Sequence, residues 1–328
     1  MKKINEIVSL LADSLCDFGQ SESSRMVIAK AIEANDWFTE QDIASAVGAI
    51  YEEMLEAQKF ERWLGTYPTL PLAESRRVAI IMAGNIPLVG FFDLLCTLAA
   101  GHQAWVKPSS KDRVLMEYII SLLVQIEPSI PIYIYDDLQE YDAVIATGGH
   151  AAGKYFQTRF GDIKHLHRGS RHSIAVLAGN ESQEQMQLLA EDIYSYSGLG
   201  CRNVAMIIAP RGAKIEIPPY PTTQKYRNSY LQNRALAAIS GARVEDNGSL
   251  IMLPCAEFTQ SLSTLSVWRY DTLQEVEEWI ERHEGELQCI VSQIIKHPQQ
   301  VDFGQAQHPT LYDYADGVNT MKFLEFKD

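Results

Sequence analysis

The chain lacks most of the features that announce a partner. Its 328 residues include only five cysteines, Cys16, Cys96, Cys201, Cys255 and Cys289, scattered and without a Cys-x-x-Cys pair. That spacing excludes a disulfide framework and a cysteine-rich zinc site, and no metal centre is expected. Positive charge is also scarce: 28 Lys and Arg against 42 Asp and Glu leave a formal net charge of -14. Nucleic acid would call for a basic face, so it is excluded as a partner. Long apolar runs are missing as well. The most apolar stretch, residues 88–100, contains Asp93 and is too short to span a bilayer. The opening Met1-Lys2-Lys3-Ile4-Asn5-Glu6 soon turns acidic and amphipathic, unlike a signal peptide, so a cytoplasmic location without membrane insertion is expected. There is no internal repeat, no low-complexity tract, no Gly-x-Gly-x-x-Gly and no P-loop. What is present is the composition of a soluble protein, in a chain long enough for two domains.

Residues 2–64 read as helices. Ile4, Ile7, Leu10, Leu11 and Leu15 recur at helical spacing. Thr39-Glu40-Gln41-Asp42 has a capping-box pattern and opens a helix through Ile43, Val47, Ile50 and Met54. From Arg77 the pattern changes to short continuous apolar runs over 77–83, 103–108, 130–135, 141–147 and 173–179. Such runs suit strands buried on both faces. Helices over 88–100 and 112–126 separate them, an alternation that predicts an α/β fold with a parallel sheet and right-handed crossovers. A division after residue 178 is expected: an N-terminal region 1–178 with the nucleotide-binding sheet, and a second α/β domain over 179–328. In the latter, helices are expected over 180–197, 227–239 and 273–282, and strands over 204–209 and 265–270. Ligands of parallel sheets lie outside the C-terminal strand ends, where Asn85, Lys107 and Gly148-Gly149 fall.

The chemistry centres on Ser195-Tyr196-Ser197-Gly198-Leu199-Gly200-Cys201-Arg202-Asn203-Val204. A cysteine behind two glycines, just before a buried strand, can be open to substrate while its backbone is held still. Neighbouring N–H groups can then face an oxygen gaining negative charge. The alternative is a small buried side chain in front of a core strand. Thr147-Gly148-Gly149-His150-Ala151-Ala152-Gly153 follows a strand and opens a helix, which suits phosphate or a plain turn. Lys107 alone reads as a solvated charge, and Asn85 as a turn residue or an amide donor.

The order of these features resembles the aldehyde dehydrogenase superfamily. Gly84-Asn85-Ile86-Pro87-Leu88 looks like its asparagine motif, Lys107-Pro108-Ser109 like its cofactor-ribose motif, and residues 147–153 like its Thr-Gly-Ser-x-x-x-Gly turn, with Gly149 in place of serine. Cys201 falls where that family has its nucleophile. Within the superfamily the chain most resembles the LuxC-type acyl-CoA reductases, through Gly-Leu-Gly-Cys-Arg-Asn-Val, Phe303-Gly304-Gln305-Ala306-Gln307 and Tyr314-Ala315-Asp316-Gly317-Val318-Asn319-Thr320-Met321. The resemblance covers roughly residues 75–328.

It implies a Rossmann-type cofactor domain beside a second, catalytic α/β domain. Cys201, Asn85 and His167 would serve catalysis; Lys107, Ser109, Thr147, Gly148, Gly149 and Gly153 would serve the cofactor. The water-activating glutamate of hydrolytic members is replaced: Leu166-His167-Arg168-Gly169-Ser170-Arg171-His172-Ser173 puts His167 in its position. An enzyme that exchanges thiols rather than water does not need that base. Ser110, where NAD-preferring relatives carry glutamate, leaves room for a 2′-phosphate that Lys111 could hold, which favours NADPH over NADH. His172 joins His167 as a proton-transfer candidate, Arg202 as a depressor of the thiol pKa, and Arg168 and Arg171 as receivers of CoA phosphates. The activity implied is reduction of acyl-CoA or acyl-carrier protein to an aldehyde, in a homodimer by default. The alternatives are an acyl-phosphate reductase or aldehyde dehydrogenase on the same scaffold, a non-catalytic nucleotide-binding protein derived from it, or a cysteine hydrolase.

Overall fold

The computed structural model of the chain describes residues 2–259 and 261–326. Residues Met1–Ser170 and Pro309–Asp328 form one compact unit, and Arg171–His308 forms a second.

The first unit opens with α1 (Ile4–Leu15), α2 (Glu22–Ala34), α3 (Glu40–Ala49) and α4 (Ala57–Gly65), with a π-helical turn over Ile50–Met54. The expected capping box is formed: the Thr39 hydroxyl accepts from the Asp42 N–H while the Asp42 carboxylate accepts from the Thr39 N–H. These helices are not a separate layer. Leu11, Ile43, Phe60 and Trp63 share one apolar core with residues of β1 (Arg77–Ile81), α5 (Phe91–Ala99), β2 (Gln103–Lys107) and α6 (Arg113–Ile126). Then come β3 (Ile132–Ile134), β4 (Ala143–Thr147), α7 (His150–Phe160) and β5 (Lys164–Arg168). Among the described residues the five strands run parallel in the order β3-β2-β1-β4-β5. The chain works outward from β1 on one side and then crosses to β4 on the other, so β1 and β4 flank the topological switch point. The helix expected over 88–100 starts only at Phe91, because Leu88 adopts a left-handed φ of 56° in the preceding turns.

The second unit contains β6 (His172–Val176), α8 (Gln183–Tyr194), β7 (Val204–Pro210), α9 (Gln224–Ser240), β8 (Glu245–Asp246), β9 (Ile251–Pro254), β10 (Thr264–Tyr270), α10 (Leu273–His283), β11 (Leu287–Val291) and β12 (Gln300–Val301). Its sheet has the order β12-β11-β6-β7-β10-β9-β8, with only the edge pair β8–β9 antiparallel among the described strands. Ile174, Met206, Ile208, Trp279 and Ile290 lie in its core. The strand expected to close the N-terminal region is β6, and it pairs with β7 and β11 of this second sheet. The compact units therefore part before β6 rather than after residue 178. The C-terminal segment, with α11 (Thr320–Phe323), belongs to the first unit. Among the described residues no helix is long and apolar enough to cross a membrane.

Candidate active site

In the first unit, Ile81 at the end of β1 lies in register with Lys107 of β2 on one side and Ala146 of β4 on the other. The three strand ends therefore present their following loops side by side. The Met82 N–H donates to the Lys107 carbonyl at 3.1 Å. Asn85 is exposed in the turn after β1. Lys107 is exposed at the end of β2, its Nζ 4.8 Å from the centre of the Tyr135 ring. A cation over an aromatic face is attracted by the ring's quadrupole. The Ser109 Oγ accepts from the Lys111 N–H at 3.3 Å, and the Lys111 carbonyl accepts from Asn35 Nδ2 at 3.2 Å, which shapes the loop between β2 and α6.

Thr147 ends β4, and Gly148 and Gly149 lead into α7, with Gly149 exposed at the N-cap. A Cβ built on Gly149 would meet only the Ser170 Oγ, at 3.7 Å. The backbone is therefore approachable where the first N–H groups of α7 have no intrahelical acceptor. Gly153 answers to a different need: a Cβ there would lie 2.7 Å from the His167 Cε1. The third glycine of this turn thus lets α7 settle on β5, as helix–strand contact requires in dinucleotide folds. His167 is half-buried beside Phe156 and its Nε2 meets the Gly148 carbonyl at 3.2 Å. With Nε2–H donating, Nδ1 is the basic nitrogen of the neutral ring.

Arg168 corrects an expectation. Instead of facing solvent to meet phosphate, it is 4 % exposed and its Nη2 and Nε lie 2.8 and 3.3 Å from the Asp93 carboxylate. It also donates to the Thr320 hydroxyl at 2.7 Å and the Ala315 carbonyl at 2.6 Å. A buried charge persists only when paired and hydrogen-bonded in this way. Around it, Gly169 N–H donates to Asp316, Trp63 Nε1 to the Tyr314 hydroxyl and Asn319 Nδ2 to the Tyr67 hydroxyl. The Tyr314–Met321 motif is a clasp that ties the C-terminal segment to β5, α5 and the N-terminal helices.

The cysteine turn of the second unit is held from several sides. Tyr196, Ser197 and Gly198 are three successive residues in the left-handed region, with φ of 54°, 55° and 69°. Two of them are not glycine, so the turn carries strain that its surroundings must hold. Asn203, 5 % exposed, supplies much of that hold. Its side-chain oxygen accepts from the Gly200 N–H at 2.8 Å, and its Nδ2 donates to the carbonyls of Asp192, Ile193 and Ser195. These carbonyls lie at the C-terminus of α8, where intrahelical donors run out, and α8 accordingly stops at Tyr194 instead of running to 197 as expected. Cys201 follows, half-buried, with its carbonyl accepting from the Ser173 hydroxyl at 2.9 Å.

Behind the turn, Asp192 is 1 % exposed and accepts from the N–H groups of Gly304 and Ala306 at 2.7 and 3.0 Å. Burial pushes its carboxyl up to about 7 against the pull of those two donors. Arg202 Nε donates to the Ala306 carbonyl, so the Phe303–Gln307 motif is fastened to the cysteine turn. His172 stacks on Phe258 with ring centres 4.3 Å apart, and burial lowers its pKa, which keeps the ring neutral. Arg171 Nη1 donates to the Glu284 and Leu287 carbonyls.

The sequence reading missed Asn203, Asp192 and Asp112. For Asp192 a signal existed: it stands on the face of α8 that buries Leu189, Ala190 and Ile193, where a lone carboxylate needs a reason.

A five-stranded parallel sheet with its switch point at β1, joined in one chain to a larger sheet bearing a cysteine turn, defines an aldehyde-dehydrogenase-like α/β protein. The fold is shared with aldehyde dehydrogenase 21 from Physcomitrella patens, solved in complex with the reaction product succinate (TM-score 0.67, 12% identity, 98% of this chain and 83% of that one). It is shared too with a Bacillus cereus aldehyde dehydrogenase in its NAD+ complex (0.59, 14%, 88% and 71%). A third example is a Mycobacterium tuberculosis aldehyde dehydrogenase complexed with NAD+ (0.57, 14%, 93% and 76%). No curated protein matches the chain in sequence. The chain belongs to the acyl-CoA reductase (LuxC) family, whose profile matches residues 50–217, a little over half of its length. Family and fold together support an oxidoreductase acting on acyl or aldehyde groups.

Proposed function

We propose that the protein reduces an acyl thioester, presented by CoA or an acyl-carrier protein, to an aldehyde, with NADPH as reductant and a covalent acyl group on Cys201. The observation that carries this reading is the cysteine turn itself. A strained backbone fixed by Asn203 and Asp192 places a half-buried thiol at the start of β7, an arrangement suited to a nucleophile rather than to a core side chain.

The Cys201 thiolate attacks the thioester carbonyl, and the bond from that carbon to the carrier sulfur breaks. The carrier leaves as a thiol after taking the proton that the Cys201 thiol gave up on ionising, with His167 Nδ1 proposed to accept that proton first and then donate it. The Cys201 N–H and the Asn85 side chain are the oxyanion donors in this reading; one such donor contributes about 3 kcal/mol. A reduced nicotinamide, when bound, supplies the hydride that takes the acyl carbon to the aldehyde level. The carbon–sulfur bond to Cys201 then breaks, the aldehyde leaves and the thiolate is restored.

The residues at the strand ends of the first unit fit such a dinucleotide. The switch point, the approachable backbone at Gly149, the opening of α7 and the Lys107 charge all suit an anionic ligand. Thr147, Gly148 and Ser109 border the same loops. Exposed Ser110, which puts a hydroxyl rather than a carboxylate at that position, and exposed Lys111 favour the 2′-phosphate of NADPH.

The test is acyl-CoA-dependent oxidation of NADPH across a range of chain lengths, for the wild type and Cys201→Ala. Turnover is expected for the wild type, with at least about a 1,000-fold loss in the variant. Equal turnover in both proteins would remove Cys201 from the mechanism, and absence of any nicotinamide binding would remove the reading altogether.

A further inference from the structure

The Asn85 turn is held from below by a residue that no motif includes. Asp112 stands at the N-cap of α6, yet its side chain does not cap its own helix. Its Oδ2 instead crosses to accept from the Leu88 N–H at 2.8 Å. Leu88 has a φ of 56°, a region an isolated leucine avoids, so something must hold it there. The same place is closed by contact. A Cβ on Gly84 would lie 2.6 Å from the Ser109 Cβ and 2.9 Å from the Asp112 Cβ, so only glycine lets the two loops meet. Asp112 is 2 % exposed, and its Oδ1 has no hydrogen-bond partner among the described residues.

A carboxyl that forgoes capping its helix, leaves one oxygen buried without a partner and satisfies a strained residue across the loop is placed for that residue. We infer that Asp112 is the positioning residue of the Asn85 turn, locking it to the Lys107–Asp112 loop so that the amide and lysine candidates of the two strand ends keep one fixed relation. Burial pushes its carboxyl up to about 8, so it holds the turn as a neutral acid at neutral pH. A neutral acid still accepts through its carbonyl oxygen, which is the atom role that asparagine reproduces. The catalytic consequence rests on the function proposed above; the placement of the turn does not.

Amide hydrogen exchange and steady-state kinetics on the full chain test it. In the wild type the Leu88 amide should be protected as strongly as those of β1. In Asp112→Ala its protection should fall about 100-fold while β1 stays protected, the mark of a local opening. Turnover should fall by about 100-fold in kcat with KM within about 2-fold, as for a displaced group that acts in the transition state. Asp112→Asn should restore both to within about 3-fold, since its amide oxygen still accepts from Leu88.

A freely exchanging Leu88 amide in the wild type overturns the inference. So does protection lost evenly over the whole first unit in Asp112→Ala, an unchanged kcat with the turn loosened, or an Asp112→Asn protein as loose as Asp112→Ala. Should Asp112→Ala not fold, the wild-type protection and Asp112→Asn decide the matter. Exchange needs no substrate. If the wild type turned over no acyl-CoA, a loss of protection confined to residues 84–88 would sustain the positioning role, and the failure would fall on the proposed function alone.

Discussion

The asparagine turn of the first unit and the cysteine turn of the second are each backed by a buried aspartate, but the two aspartates are unequally provided for. Asp192 receives two backbone N–H groups, from Gly304 and Ala306, and feels the positive charge of Arg202. Asp112 receives one, from Leu88, and leaves an oxygen with no partner among the described residues. Both are almost fully buried, so desolvation raises both, and the two donors, with the charges of Arg202 and Glu191 acting in opposite senses, pull Asp192 back further than the one donor pulls Asp112. The carboxyl with two donors is pushed up to about 7, the one with a single donor to about 8. The cysteine turn is further fastened by four hydrogen-bond contacts of Asn203. Three successive left-handed residues need that much; one left-handed leucine is held with less. The turn that carries the proposed nucleophile is therefore over-determined, whereas the left-handed Leu88 of the asparagine turn leans on the Asp112 carboxyl and on the close approach at Gly84.

The largest effect should come from breaking the stronger of the two anchors. Asp192→Leu leaves the Gly304 and Ala306 N–H groups buried without acceptors, at about 1–3 kcal/mol each. The expected loss is about 3–5 kcal/mol in urea unfolding. A loss below about 1 kcal/mol would show that the Phe303–Gln307 segment is held by packing and that the contrast between the two aspartates has no energetic weight. A smaller effect, about 2 kcal/mol, is expected for Asn203→Ala, which returns the carbonyls at the end of α8 to solvent or to no partner. That variant should also alkylate differently at Cys201. An unaltered rate with iodoacetamide would mean that Asn203 terminates α8 without shaping the thiol's surroundings.

How much of this was legible follows from where each side chain finds its partner. The runs 77–83, 141–147 and 204–209 could be read as strands because central parallel strands bury both faces and leave an unbroken apolar signature. The capping box at Thr39 could be read because both partners lie within four residues. Strand β5 could not: Lys164-His165-Leu166-His167-Arg168 is an edge strand with a single aliphatic residue, and nothing in its hydropathy sets it apart from a loop. The motif residues Asn85, Lys107 and Cys201 were visible because their types and order are tied to strand ends. Their supports were not. Asp112 and Asp192 look like surface charges in a sequence, and Arg168 looks like a free cation until Asp93, 75 residues away, is seen against it. Sequence pattern reports local periodicity; it does not report which polar residue a distant backbone will call upon.

The finest distinction between the two turns lies in their pH dependence. Both carboxyls bind a proton more tightly in the folded chain than at the ordinary aspartate value of 3.8. Each one's contribution to stability is therefore fully present below about pH 4, declines as the pH rises, and is lost once the pH passes the folded value. For Asp192 the decline ends at about 7, and for Asp112 at about 8. Unfolding free energies measured across this range should show Asp192→Asn flattening the slope mainly below about pH 7, and Asp112→Asn flattening it mainly below about pH 8. Above pH 7 Asp112 supplies most of the remaining slope, at most about 1.4 kcal/mol per pH unit, while Asp192 finishes its titration. If that residual slope survives Asp112→Asn, the missing donor is not what separates the two aspartates. If it disappears, the bond to Leu88 is the weaker anchor, and mild alkali loosens the asparagine turn more than the cysteine turn, whose aspartate has by then lost most of its proton.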